Sequence, residues 1–261
     1  MSRMRLLDLT LPTPEENLAL DEALLDRAEA GESAGEVLRL WEPDAPMVVV
    51  GRSSKLAEEV NLDECRRRGI PVLRRTSGGT SIVAGPGCLM YAVVLSLIDR
   101  PELRAIDEAH RFVLGRIAEA LSPFVPGIRC RGTSDLVLDD SEQCSPERAC
   151  CGDTSGRTAL KVSGNSVRVK RNWLLYHGTL LYDFPIELIE ACLPMPPREP
   201  DYRGGRSHRQ FVVNLPISRT DLRRAIVAAW QADEPCEAWP RELTANLVAE
   251  RYGLASWHAD R

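Results

Sequence analysis

Apolar and polar positions along the chain change period several times, and each change marks an element. In "TPEENLALDEALLDRAEAG", residues 13–31, Leu20, Ala23, Leu24 and Ala28 recur at helical spacing and form one apolar face. Thr13 caps this helix, Pro14 suits its first turn, Glu16 completes a capping box and Gly31 ends it. "EVLRLW" and "PMVVVGRS" then read as strands, followed by a polar helix near Asn61 to Arg68 with Gly69 after it. "IPVLRR" reads as a short strand, "SIVAG" and "LMYAVVLSLI" as strands with heavy burial. Residues 102–121 predict an amphipathic helix with Leu103, Ile106, Ala109, Val113, Ile117 and Ala120 on one side. "SDLVLDD" returns to strand character. "ALKVSGNSVRVKRNWLLYHGTLLYD" is rich in β-branched and aromatic residues, with Gly164 and Gly178 as turn or close-approach positions. "PIELIEACL" reads as a short helix, residues 194–210 as a loop, and two helices close the chain near 218–233 and 240–252. The expected fold class is α+β, with mixed, mostly antiparallel sheets flanked by helices. It forms a single domain over 1–261, with a surface insert near 139–159 and a helical portion from about 216.

Composition narrows the class. With 261 residues, 44% apolar and 27% charged, the chain suits one large soluble domain. A net charge of −5 argues against a general nucleic-acid binder. No apolar run reaches the ~20 residues of a membrane span, and the first residues lack the apolar core of a signal peptide. The expectation is a cytoplasmic protein with neither nucleic acid nor membrane as partner. Eight cysteines are present, at 65, 88, 130, 144, 150, 151, 192 and 236, without a C-x-x-C pair or a zinc spacing. They read as small apolar residues or free thiols, and no tightly bound metal is expected. Cys144, Cys150 and Cys151 share the acidic insert, where a disulfide or adventitious metal site is the alternative.

Three clusters carry candidate chemistry. In "RRTSGG", Arg74 and Arg75 adjoin Ser77, Gly78 and Gly79; exposed amides beside a guanidinium suit a carboxylate or phosphate. A hairpin with a solvated arginine pair fits the same stretch. The run is neither a Walker loop nor a dinucleotide fingerprint. In "KVSGNS", Lys161 stands beside the turn at Gly164, placed either in solvent or to stabilise charge on an acyl oxygen or phosphate. In "YHGTLL", His177 interrupts an apolar strand, as a satisfied core histidine or as a binding-site wall. No G-x-S-x-G or H-E-x-x-H motif occurs.

In order, these clusters resemble the lipoate–protein ligase and octanoyltransferase family, whose fold is similar to the biotin–protein ligase catalytic domain. "ENLALDEALL" resembles the family's first-helix signature and "LRLWEPDAPMVVVGRSS" its strand pair. "NLDECRRRGIPVLRRTSGG" is similar to its run ending in R-R-x-S-G-G, and "SDLVL" to its N-D-[IL] strand. "KVSGNSVRVKRNWLLYHGTLL" resembles K-[IV]-S-G-[NST]-A-Q-R…H-H-G-T-L-L, and "RSHRQFVVNL" the element near the domain's end. Together they span roughly residues 13 to 215.

The resemblance implies a biotin/lipoate protein ligase-like catalytic domain that attaches a lipoyl or octanoyl group to a specific lysine of lipoyl domains through lipoyl-AMP. It implies ATP and Mg²⁺ in the ligase branch and lipoate or octanoate as acyl group. The implied partners are lipoyl domains of 2-oxoacid dehydrogenases or glycine cleavage H protein, and acyl carrier protein in the transferase branch. Ser77, Gly78 and Gly79 would line the acyl and adenylate pocket, with Arg75 on the phosphate. Lys161 would stabilise charge during acyl transfer, with Gly164 and Asn165 as the facing turn and His177 on the wall near Gly178. Asp135 would approach the adenine or the reacting lysine, and Val83 and Leu180 would take the fatty chain.

Several positions depart from the ligase pattern. Thr80 stands at the third glycine, no His-Asp pair follows, Tyr176 replaces the first histidine of H-H-G, and "SVR" replaces A-Q-R. "GPG" resembles the octanoyl-carrier transferase branch, whose preceding histidine is Ala84 here. A cysteine-dependent transferase would use Cys130, activated by Arg129 or Arg131, or Cys88. A biotin ligase and a non-catalytic binder of acyl-adenylate or a lipoyl domain complete the alternatives. The basic stretch from Arg198 to Arg209 reads as a docking surface for an acidic lipoyl domain or as a solvated loop.

Overall fold

The computed structural model describes residues 4–33, 35–139 and 159–259. The chain begins with β1 (Arg5–Asp8), α1 (Pro14–Glu29), β2 (Val37–Trp41) and β3 (Met47–Val50). Two short helices, α2 (Leu56–Glu59) and α3 (Leu62–Arg68), lead into β4 (Val72–Arg74), β5 (Ile82–Ala84) and the long β6 (Cys88–Ser96). Helix α4 (Ile106–Leu121) precedes β7 (Ile128–Arg131) and β8 (Asp135–Asp139). Three strands follow, β9 (Ala159–Lys161), β10 (Asn165–Val169) and β11 (Trp173–Leu181), then α5 (Ile186–Cys192) and α6 (His208–Phe211). The chain closes with α7 (Arg219–Trp230), β12 (Glu234–Pro235), α8 (Arg241–Leu247) and α9 (Ala255–His258).

The strands form a six-stranded sheet, β10-β11-β6-β2-β1-β12, and two three-stranded sheets, β4-β3-β5 and β7-β8-β9. Pairing is antiparallel from β10 to β2 and parallel from β2 to β12. The fold is therefore mixed helix and sheet, rich in antiparallel pairing, as the sequence predicts.

Two-residue alternation along β6 explains its burial throughout. Leu89, Tyr91, Val93 and Leu95 pack with Val113 and Ile117 of α4 and Leu222 and Ile226 of α7. Ala92 and Val94 face Leu20, Leu24 and Leu25 of α1, while Cys88 and Met90 join Val48 and Val83 of the small sheet. The capping box starts α1: Thr13 Oγ1 accepts from the Glu16 amide at 3.2 Å, and Glu16 Oε2 accepts from the Thr13 amide at 3.0 Å. Gly69, at φ 65°, ends α3.

Some expected boundaries move. Residues 101–104 form a 3-10 turn, so α4 begins later, and Ile106 at its first position is 54% exposed instead of on the buried face. β1, β7 and β12 were not predicted; β12 puts a strand in the C-terminal portion expected to be helical. The insert expected near 139–159, with Cys144, Cys150 and Cys151, lies outside the described residues apart from its flanks in β8 and β9. No helix among the described residues is long and apolar enough to cross a membrane.

Candidate functional site

A cleft of about 460 Å³ opens where the large sheet meets the two small ones. Its apolar part is lined by Leu18, Val49, Val83, Met90 and Leu181; Gly79, Asp135, Lys161, Asn165 and His177 supply the polar part. β11 contributes the alternating side chains of His177, Thr179 and Leu181, with Gly178 between the first two also reaching the lining. Leu180, expected on the acyl face, points instead into the core beside α4, and Leu181 takes its place. The reason is the two-residue period: a shift of one position exchanges the faces.

The turn from Arg74 to Thr80 forms one wall and is braced at nearly every residue. Arg74 is fully buried; Nη1 donates to the carbonyls of Gly51 and Ser54, both at 2.8 Å, and Nη2 to that of Ala259 at 3.1 Å. Arg75, expected to meet an anion, is committed to the protein as well. Its Nε donates to Ser77 Oγ at 3.1 Å, Nη1 to the Val49 carbonyl at 3.1 Å, and Nη2 to the carbonyls of Gly78 and Thr80. Burial pulls its pKa down to about 10. The solvated arginine pair is thereby excluded for these two residues.

Thr76 Oγ1 donates to Glu22 at 3.1 Å, and Ser77 Oγ lies 2.6 Å from Nε2 of His177. Nδ1 of His177 lies 3.1 Å from Asp21, whose other oxygen accepts from Arg39 at 2.6 Å. Ser166 Oγ donates to the Gly78 carbonyl at 2.8 Å. Ser77 thus stands behind the lining, Gly78 is exposed outside it, and Gly79 alone of the three reaches the cleft. Gly79 needs its φ of +82°, and a Cβ on the facing Gly51 would come within 1.9 Å of its carbonyl oxygen.

The opposite wall is arranged differently. Lys161 Nζ pairs with Asp135 Oδ1 at 2.6 Å, while Asp135 Oδ2 accepts from the Tyr202 hydroxyl at 2.6 Å. The lysine side chain is 27% exposed and faces the cleft. Asn165 bridges Tyr91, Ser134 and Ser163, and its side chain lies over Gly178. A Cβ on Gly178 would meet Asn165 Oδ1 at 2.1 Å, and one on Gly164 would meet Ile82 at 3.2 Å. Both glycines are close-approach positions, as their setting in strand sequence predicts. At the rim, Arg198 lines the cleft, exposed and without a partner among the described residues.

Elsewhere in the expected basic docking stretch, Arg209 is exposed and paired with Glu190, while Arg203 and Arg206 turn inward. Arg203 is 3% exposed and stacks on Phe211, as Arg206 does, so these two are not a free cationic surface. Cys130 is exposed on β7 outside the cleft lining, and partial desolvation by its neighbours pushes its thiol pKa up. Arg129 pairs with Asp139 and Arg131 stacks on Tyr202, so the expected activation of Cys130 by these arginines does not materialise. Cys88 is fully buried with its pKa raised by burial.

Asp21, Glu22, Arg39 and Tyr202 were not foreseen. Burial opposes ionisation of Asp21, but Arg39 and His177 outweigh it and hold its carboxyl low. Glu22 behaves alike: burial is outweighed by Arg251, Tyr252 and Arg168. The available signal was an acidic pair inside the apolar run "LALDEALL", because buried carboxylates require partners. No group of three or more His, Cys, Asp or Glu among the described residues could hold a metal ion.

Known proteins resemble the chain in sequence and in fold. A family model described as the lipoyl protein ligase A/B catalytic domain matches residues 13–229. The chain is 25% identical over 281 residues to the octanoyltransferase LipM of Brevibacillus brevis, covering all of both chains. It is 29% identical over 177 residues to a putative lipoate-protein ligase A of Aeropyrum pernix, covering 67% of this chain and 56% of that one. Among solved structures, a bipartite lipoate protein ligase of Thermoplasma acidophilum, from work on that ligase and its E2 lipoyl domain, superposes with a TM-score of 0.78 at 21% identity. That match covers 99% of this chain and 96% of the other. A lipoate-protein ligase A bound with ATP gives 0.71 at 20% identity over 98% of both chains.

Proposed function

The chain belongs to the lipoyl protein ligase A/B catalytic domain family, and from that premise we propose that it activates lipoate or octanoate with ATP and transfers the acyl group to a lysine of a lipoyl domain. The observation that carries this reading is Lys161, a cleft-facing ammonium held by a single carboxylate among the described residues, at the junction of apolar and polar lining. An ammonium so held can exchange Asp135 for a carboxyl or phosphate oxygen of the substrate. The apolar part formed by Leu18, Val49, Val83, Met90 and Leu181 suits a fatty chain. A carboxylate is a poor electrophile. Adenylation supplies a leaving group, Lys161 stabilises the negative charge that grows during transfer, and the acceptor amine enters from the open side. Asp135, relieved of Lys161, offers an acceptor for the incoming ammonium.

The residues present suit ATP better than a resident metal. The cleft carboxylates Asp21, Asp135, Glu59 and Glu199 already hold Arg39, Lys161, the Ser81 amide and the Gly205 amide respectively. Mg²⁺ would therefore be held mainly by the nucleotide's phosphates. Arg198 at the rim is a further cation available to them beside Lys161. Lipoyl domains of 2-oxoacid dehydrogenases and glycine cleavage H protein are the proposed acceptors, in the cytoplasm.

The full-length similarity to the octanoyltransferase LipM favours a second reading, cysteine-dependent transfer from acyl carrier protein. Cys130, off the cleft and with its pKa raised, supports that reading less than Lys161 supports the first. The test incubates the protein with an apo lipoyl domain and either lipoate plus Mg-ATP or octanoyl carrier protein, and reads the acceptor's mass. Acylation only with ATP is expected. Acylation only from the carrier, lost in Cys130→Ser, would establish the transferase, and no acylation from either donor would leave a binding module.

A further inference from the structure

We infer that Asp21 is a positioning residue, which fixes the proton of His177 on Nδ1 so that Nε2 anchors the Ser77 hydroxyl and with it the turn that carries Gly79 into the cleft. The four side chains form a directed chain. Asp21 is 3% exposed, Ser77 2% and His177 9%, so water does not substitute for their contacts. An ionised carboxylate only accepts, so the Nδ1 that faces Asp21 at 3.1 Å must carry the proton. In a neutral imidazole Nε2 is then the acceptor, and the Ser77 hydroxyl donates to it across 2.6 Å. Ser77 Oγ in turn accepts from Arg75 Nε at 3.1 Å. Every proton points the same way, from Arg75 through Ser77 and His177 to Asp21, and Arg39 closes the far end.

The set has the composition of a hydrolase triad but not its use. A nucleophilic serine must be open to substrate, whereas Ser77 is enclosed and its oxygen already accepts from Arg75. Its place two residues before Gly79, which lines the cleft, makes it an anchor of cleft shape.

The test substitutes Asp21→Asn, which keeps size and removes charge. Arg39 Nη1 is fixed by the Asn17 carbonyl at 2.7 Å as well as by Asp21, so it retains the amide oxygen and turns the amide NH₂ toward His177. That group only donates, so the ring proton must move to Nε2 and the Ser77 hydroxyl loses its acceptor. Nitrogen-15 NMR of the imidazoles, with His177 assigned by its loss in His177→Gln, is expected to show Nδ1–H in the native protein and Nε2–H in Asp21→Asn. Where acyl transfer is measured, the KM for the acyl substrate should rise about tenfold with kcat changed less. The same substitution should add little on a Ser77→Ala background. An Nε2–H tautomer in the native protein, an unmoved proton in Asp21→Asn, or an undiminished effect without Ser77 would each overturn the inference. The tautomer measurement needs no substrate, so it stands or falls separately from the acyl-transfer reading on which the KM arm rests.

Discussion

The two walls of the cleft use their cations in opposite ways. On the wall from Arg74 to Thr80, both guanidiniums donate to backbone carbonyls and are nearly sealed from solvent. On the facing wall, Lys161 holds one carboxylate and remains 27% exposed. A guanidinium presents five donors in a fixed fork and suits the bracing of several carbonyls at once, whereas an ammonium on a flexible stem can change partners. One wall therefore sets shape and the other carries exchangeable charge. The arginine-rich motif looks like an anion clamp in sequence, yet the structure makes it scaffold.

The largest expected effect breaks the exchangeable side. Lys161→Ala should lower kcat for acyl transfer about 10³-fold, the scale of losing a transition-state charge partner. The fold should persist, since the side chain is partly exposed and Tyr202 still holds Asp135. Steady-state kinetics with circular dichroism separates the two. A variant within tenfold of native activity would remove the distinction between the walls.

Arg75→Ala tests the other side and should act mainly through stability. It strips donors from the buried carbonyl of Val49 and the half-buried carbonyls of Gly78 and Thr80. The expected cost is about 3 kcal/mol, the scale of buried acceptors left unpaired, read as a lower urea midpoint at unchanged m. If the midpoint stays native while acyl-substrate binding is lost, Arg75 is a ligand contact and not a brace.

What could be read from sequence follows the same division. The cap and apolar face of α1, the glycine stop of α3 and the long strand β6 are local patterns, legible because neighbours in sequence determine them. The cleft residues Asn165 and His177 could be identified because each adjoins a close-approach glycine, Gly164 and Gly178, and Lys161 because it stands three residues before Gly164. β1, only "RLLD", owes its strand to parallel partners on β2 and β12, the latter more than 200 residues away in the chain. The roles of Arg74 and Arg75 were hidden for a related reason, since their partners are carbonyls and any sequence has those. Asp21 and Glu22 were missed although they are acids inside an apolar run, because their partners lie between 18 and 230 residues away. Leu180 and Leu181 differ by a phase that apolar character does not encode.

The smallest effect concerns acid, and it belongs to the scaffold wall. Glu22 accepts from Thr76, Arg251 and Tyr252, and Arg251, Tyr252 and Arg168 outweigh burial to keep its folded pKa below the ordinary value. A carboxyl with a depressed folded pKa adds stability that is fully present above its unfolded pKa, about 4.3, and is lost as pH falls through the folded value. Thermal midpoints should therefore be flat in this respect above about pH 5 and fall below about pH 4, with Asp21 acting in the same sense. Glu22→Gln should lower the midpoint at pH 7 by a few degrees, about 1–2 kcal/mol for weakened buried hydrogen bonds. Its acid limb should be shallower, so that the two curves converge toward pH 2, where Glu22 is protonated in the native protein as well. Curves that stay parallel down to that pH would mean that the carboxylate of Glu22 gains nothing from ionisation in the fold. The first helix would then brace the turn by shape alone, and the contrast between a charged scaffold and an exchangeable charge would reduce to Lys161.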